Sequence, residues 1–277
     1  MPANQSPKSR PRLKSIILPT EHGGWGMIFE PIVLGLLLAP SVIGVLISLI
    51  AISTFLMRPP IKIIISDWQH QRRSVRTAYA QGFVFLYSLV ICACGLIIIM
   101  VAPPSFLAAF MLASHGWLVL SIVFLILILR LIWNFMHGSK DLVAQILGGV
   151  SLNSISALIV SVAGWAIGAS LILWMILSLR VINSIFYVRT RIRLDRGKPV
   201  SILPTVAVHL IGVLAVSVLA IMGYVPYLAI FPLVVLLIRM GVGLSSLRRN
   251  IRPQAIGIQE LGYGVLTVIL LALTFKL

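Results

Sequence analysis

Residues 78–101 read AYAQGFVFLYSLVICACGLIIIMV. The stretch carries no charge and is bounded by Arg72, Arg73 and Arg76 on one side and by Pro103 and Pro104 on the other. A helix needs about 20 consecutive apolar residues to cross the hydrocarbon of a bilayer, so an unbroken run of this length predicts a membrane-spanning helix. The reading extends in both directions. Apolar runs separated by charged or Pro/Gly breaks fall near 24–39, 41–57, 105–130, 142–162, 165–187, 203–223, 226–246 and 257–275. Together they predict an all-α, polytopic membrane bundle of about nine transmembrane helices.

Composition excludes the main alternatives. Of 277 residues, 60% are hydrophobic and 10% charged, with a mean hydropathy of +1.09, whereas a soluble domain carries about 25% charged residues. The formal net charge of +16 does not point to nucleic acid, because nucleic-acid readers gather their basic residues on one soluble face. Here the cations lie between apolar stretches, where their natural partners are anionic membrane lipids. Cys92 and Cys94 sit two apart, face roughly opposite ways on a helix and cannot bridge. The basic start, Lys8, Arg10, Arg12 and Lys14, superficially resembles a secretory signal. Glu30 and Pro31 interrupt the apolar run that follows, and no small-x-small cleavage site appears. We read residues 1–19 as a disordered basic cytoplasmic tail and 20–277 as a single transmembrane domain.

Loop charges test this partition. Positive residues collect on the cytoplasmic side of a membrane protein, so they should occupy every second connection. Nineteen of the 22 Lys and Arg lie in the tail and near 58–77, 130–141, 188–202 and 247–255, while the connections around Pro40, Pro103, Gly164 and Gly223 carry none. The pattern predicts a multi-pass protein of a bacterial cytoplasmic (inner) membrane, with its amino terminus in the cytoplasm and its carboxyl terminus outside.

Ionisable groups within spans are costly and mark functional sites. Glu30 follows Gly26 by four and Gly23 by seven residues, which places all three on one helical face. Pro31 next to it removes a backbone hydrogen bond and predicts a kink. The sixth span sets Arg180, Asn183 and Tyr187 on one stripe, and the fifth sets Gln145, Gly149 and Asn153 on another. Arg130 and Asn134 end the fourth span, Thr205 and His209 open the seventh, and Glu260 opens the ninth. All lie in the cytoplasmic half, which predicts one shared cavity open to that side. Taken singly, Asn, Gln and Ser often simply join helices, Arg180 or Arg239 would snorkel to the interface, and the two Glu residues would be protonated or paired with those arginines.

Two connections are rich in cations around one acid each. The first runs from Arg58 through Lys62, Asp67, His70 and Arg73 to Arg76; the second runs from Arg189 through Arg191, Arg193, Asp195 and Arg196 to Lys198. Arginine forks bind phosphate or carboxylate in bidentate fashion. A divalent metal on a diphosphate wants several carboxylates, and two aspartates are too few. No cofactor is therefore expected, and any metal site would rest on Asp67 and Asp195.

The segment Pro19-Thr20-Glu21-His22-Gly23-Gly24-Trp25-Gly26, with Glu30-Pro31 and Gly35, resembles the opening of the YwiC-like family of bacterial membrane proteins. Arg58-Pro59-Pro60 and the closing Gly257-Ile258-Gln259-Glu260-Leu261-Gly262-Tyr263-Gly264 look like that family too. Glu21 and His22 thereby join the ligand-binding candidates. The nine helices, with charged cytoplasmic connections after the second and sixth, also resemble the UbiA superfamily of intramembrane prenyltransferases. That resemblance implies magnesium on Asp-rich motifs, of which only Asp67 and Asp195 have counterparts here. The first functional reading is a bundle that binds an anionic isoprenoid, quinone-like or other amphipathic lipid. Its rivals are a UbiA-like prenyltransferase using magnesium, with Asp67 and Asp195 as catalytic candidates, and a proton-linked transporter using Glu30 and Glu260. The sequence names no protein partner.

Overall fold

Apolar sequence decides nearly every element. The computed structural model describes residues 22–71, 74–102, 141–246, 248–249 and 251–276, without the side chains of residues 22–24. Within these lie α1 (His22–Leu38), α2 (Val42–Gln69), α3 (Val75–Val101), α4 (Leu142–Val162), α5 (Ile167–Asp195), α6 (Leu203–Ile221), α7 (Phe231–Leu244) and α8 (Pro253–Lys276). A short 3₁₀ turn, Tyr227–Ile230, leads directly into α7. Eight of the nine predicted spans are therefore helices, and the ninth, 105–130, lies outside the described residues. Seven are long and apolar enough to cross a membrane, α7 counting with its 3₁₀ lead; α1 is a shorter apolar helix.

The helices form a closed ring in which α1 packs on α4, α4 on α5, α5 on α6, α6 on α7, α7 on α8, and α8 back on α1. The first and last described helices are thus neighbours. The ring interior is filled by Leu34, Val160, Leu173, Ile176, Leu177, Val216, Leu233, Leu236 and Leu271. The hairpin of α2 and α3 leans on the outside of the ring through α2, where Ile28 and Ile32 of α1 meet Phe55 and Leu152. α3 is the least enclosed helix, and α4 and α5 are the most.

Two connections are shorter than the sequence implies. α2 continues through Pro59 and Pro60 to Gln69, although each proline removes a helical hydrogen bond. Ile63 beyond them is buried against Ala80 and Phe83, and this packing holds the helix where propensity alone would end it. α5 likewise runs past Tyr187 to Asp195, with Val188 and Leu194 packed on Met240 and Leu244. Most of the residues expected in the two cationic loops are therefore helical. α1 also continues through Pro31 as one helix.

Turn chemistry is legible at the ends. Ser41 caps α2 by accepting from the Gly44 N–H at 3.0 Å, and Ser74 with Thr77 forms a capping box on α3. The connection between α6 and the 3₁₀ turn passes through Gly223 at φ 77°, a left-handed conformation that only glycine adopts cheaply.

Candidate functional site

Four charged side chains from four helices meet inside the ring. Arg180 Nη2 on α5 lies 2.9 Å from Glu30 Oε1 on α1 and donates to the backbone carbonyl of Glu260 on α8 at 3.1 Å. Arg239 Nη1 on α7 bonds the carboxylate of Glu260. The guanidinium of Arg239 sits between two rings, 4.1 Å from the centroid of Tyr187 and 5.1 Å from that of Tyr263, an arrangement stabilised by the ring quadrupoles. The result is a chain of alternating charge, Glu30, Arg180, Glu260, Arg239, closed by two tyrosines.

Glycines make the approach possible. A Cβ on Gly264 would overlap the Glu30 carboxylate, one on Gly243 would overlap Tyr187, and one on Gly26 would touch Glu30 Oε1 and Leu261 at 3.5 Å. Glu260 is seven residues into α8, which places the cluster roughly 10 Å from that end at 1.5 Å per residue. This is the end where the cationic connections gather.

Taking two ions from water costs several kcal/mol per ion, which attraction offsets only when the remaining donors and acceptors are also satisfied. Here many are not. Glu30 Oε2, Glu260 Oε2, Arg180 Nε, and Arg239 Nε and Nη2 are buried without a hydrogen-bond partner, as are both amide atoms of Asn183. Native proteins leave only a few such groups per 100 residues, and here seven such atoms of five residues fall in one region of the bundle.

Of the residues singled out from sequence, Glu30, Arg180, Tyr187 and Glu260 converge on the cluster. Asn183 lies on the next turn of α5, buried where Gly212 brings α6 close. His209 is fully buried on α6 and its Nδ1 donates to the Thr205 carbonyl at 2.7 Å, while Thr205 and Thr190 share a hydroxyl hydrogen bond at 2.7 Å. Asn153 is buried on α4 with its amide nitrogen unpartnered.

Other candidates lie apart from it. Arg58 stacks over Phe55 at 5.2 Å. Lys62, His70 and Lys198 are exposed, and His70 Nδ1 donates to the Ser66 carbonyl of its own helix at 2.7 Å. Glu21, Arg73 and Asn134 lie outside the described residues, as does the side chain of His22. Asp67 accepts from Ser74 and Thr77 and so ties the end of α2 to the start of α3. Arg191 donates to Asp195 at 2.9 Å and to the carbonyls of Gly243 and Arg249. With Arg248 3.7 Å from Asp195, it fastens the connection between α7 and α8 to α5. Among the described residues no three His, Cys, Asp or Glu side chains gather to hold a metal ion.

Sequence reasoning passed over Arg239 as a site residue, having allowed it to snorkel, and gave Tyr263 no role. The signal was present: two buried cations and two buried anions at similar depth, with Tyr263 and Gly264 one helical turn beyond Glu260.

Fold and cluster define a multi-pass helical membrane protein with a charge-balanced polar centre. Residues 18–148 match the family model of YwiC-like protein, a match that takes in the resemblance read at Pro19–Gly35 and Arg58–Pro60. The closing stretch 257–264 lies beyond the match. Comparison with curated proteins and with solved structures finds no match, and the UbiA likeness gains no support from them.

Proposed function

We propose that the protein binds an amphipathic lipid with an isoprenoid or quinone-like body, whose polar head enters the cluster of Glu30, Arg180, Arg239 and Glu260. One observation carries this reading: the buried ion pairs leave both donors and acceptors unpartnered. A head group carrying polar atoms satisfies them, and covering its apolar tail against the apolar helices contributes about 25 cal/mol per Å². Entry is from the cationic end, which we assign to the cytoplasmic face of a bacterial inner membrane, with the amino terminus inside.

The prenyltransferase reading places Asp67 and Asp195 on magnesium. Their present partners, Ser74 and Thr77 for one and Arg191 for the other, favour structural roles for both. Architecture alone transfers no activity.

Mass spectrometry of lipids retained by purified protein tests the proposal. An isoprenoid or quinone-like species enriched in wild type and depleted in an Arg239→Gln variant supports it. A lipid profile equal to that of an unrelated membrane protein prepared in the same way removes it.

A further inference from the structure

Resting on that reading, we infer that the head group is a single anion and that Glu30 takes up a proton when it binds. Arg180 on α5 and Glu260 on α8 act on Glu30 itself, while Arg239 on α7 joins Glu260 and is flanked by Tyr187 on α5, Tyr263 on α8 and His209 on α6. Packed against α1, α4 contributes no titratable residue, and α2 contributes Arg58 over Phe55. Two carboxylates thus face two guanidiniums, and the cluster is neutral in itself.

Its unpartnered atoms are not evenly divided. Three guanidinium nitrogens are free to donate, against two carboxylate oxygens free to accept. An anion is the ligand that uses guanidinium donors best. Its arrival beside Arg180 brings it against the Glu30 carboxylate, and a third negative charge in an apolar ring is unfavourable.

The conflict is removed when Glu30 is protonated from solution. Arg180 then exchanges Glu30 for the ligand anion, the Glu30 O–H becomes a donor, and total charge is conserved. Glu30 is the acid that changes state because it is the more enclosed, at 6% exposure against 13% for Glu260. It also shares Arg180 with the Glu260 carbonyl. A neutral quinone would need no proton.

The test uses the full chain in nanodiscs with two probes, farnesoate as a single isoprenoid carboxylate and a short-chain neutral quinone. Calorimetry in buffers of different ionisation enthalpy counts the protons exchanged. Farnesoate should bind with uptake of about one proton, and its affinity should fall roughly tenfold per pH unit where uptake is complete. Glu30→Gln should bind farnesoate without uptake and without that pH dependence, while Glu260→Gln should keep both. Farnesoate binding without proton exchange, or with unchanged uptake in Glu30→Gln, overturns the inference. Binding of the quinone but not farnesoate overturns it and leaves the lipid-binding reading standing; binding of neither overturns both. If Glu30→Gln does not fold, absence of proton uptake by wild type, or loss of uptake in Glu260→Gln, overturns the inference.

Discussion

Arg180 on α5 and Glu30 on α1 face each other at 2.9 Å, with side chains 4% and 6% exposed. Removing one partner of such a pair strands a buried charge, which costs about 3–5 kcal/mol. Arg180→Ala and Glu30→Leu should therefore each lower the thermal midpoint of the purified protein, and Glu30→Gln should do so less than Glu30→Leu, because its amide oxygen still accepts a hydrogen bond from Arg180. A Glu30→Leu, Arg180→Leu double variant should recover part of the loss. Equal stability of Arg180→Ala and wild type would mean that the two side chains do not pair.

The glycines beside the cluster give a steric test. Gly264→Ala and Gly243→Ala each place a methyl where Glu30 or Tyr187 already stands, and overpacking of this sort costs about 1–3 kcal/mol. Gly257→Ala and Gly262→Ala on α8 meet open space and should be neutral or slightly stabilising, since alanine favours helix. Thermal unfolding of the four variants should separate them into two pairs.

Arg191 uses its guanidinium to hold the α7 to α8 connection through the carbonyls of Gly243 and Arg249. Arg191→Ala should release that connection and speed its cleavage in limited proteolysis. Arg191→Lys should rescue little, because a single ammonium cannot reproduce a planar fork. Unchanged cleavage in Arg191→Ala would remove the fastening role.

The charge asymmetry predicts the membrane orientation. In a Cys92→Ser, Cys94→Ala background, single cysteines at Ala163 and Tyr224 should react with an impermeant reagent added to intact cells, and cysteines at Lys198 and Ser201 should not. The opposite pattern would invert the topology.

Apolar runs made the eight described helices and their order readable, because a bilayer imposes a length rule on sequence. Helix ends were less readable. Pro59 and Pro60 argue locally for a stop, and only the contact of Ile63 with Ala80 and Phe83 explains why α2 continues. Within the site, Glu30, Arg180, Tyr187 and Glu260 were identifiable as costly residues in apolar surroundings. Their pairing was named only as an alternative, since partners so distant in sequence meet only through the ring closure of α1 on α8. Arg191 looked like a phosphate ligand for the same reason that it makes a good clasp: its fork suits carbonyl oxygens as well as phosphate.

α2 and α5 contain 28 and 29 residues, about 42 and 44 Å of helix at 1.5 Å per residue, against a hydrocarbon slab of about 30 Å. Their neighbour α4, with 21 residues, nearly matches that slab at about 32 Å. In both long helices the charged residues lie toward the carboxyl-terminal end, with Asp67 in α2 and Arg189, Arg191, Arg193 and Asp195 in α5, so the surplus length falls on a polar end. A thickened bilayer would draw acyl chains up against Asp67 and the arginines of α5, whereas a thinner one would only lengthen an overhang already in water. Trp68, 79% exposed near the tip of α2, belongs to that surplus and would report on it by its fluorescence.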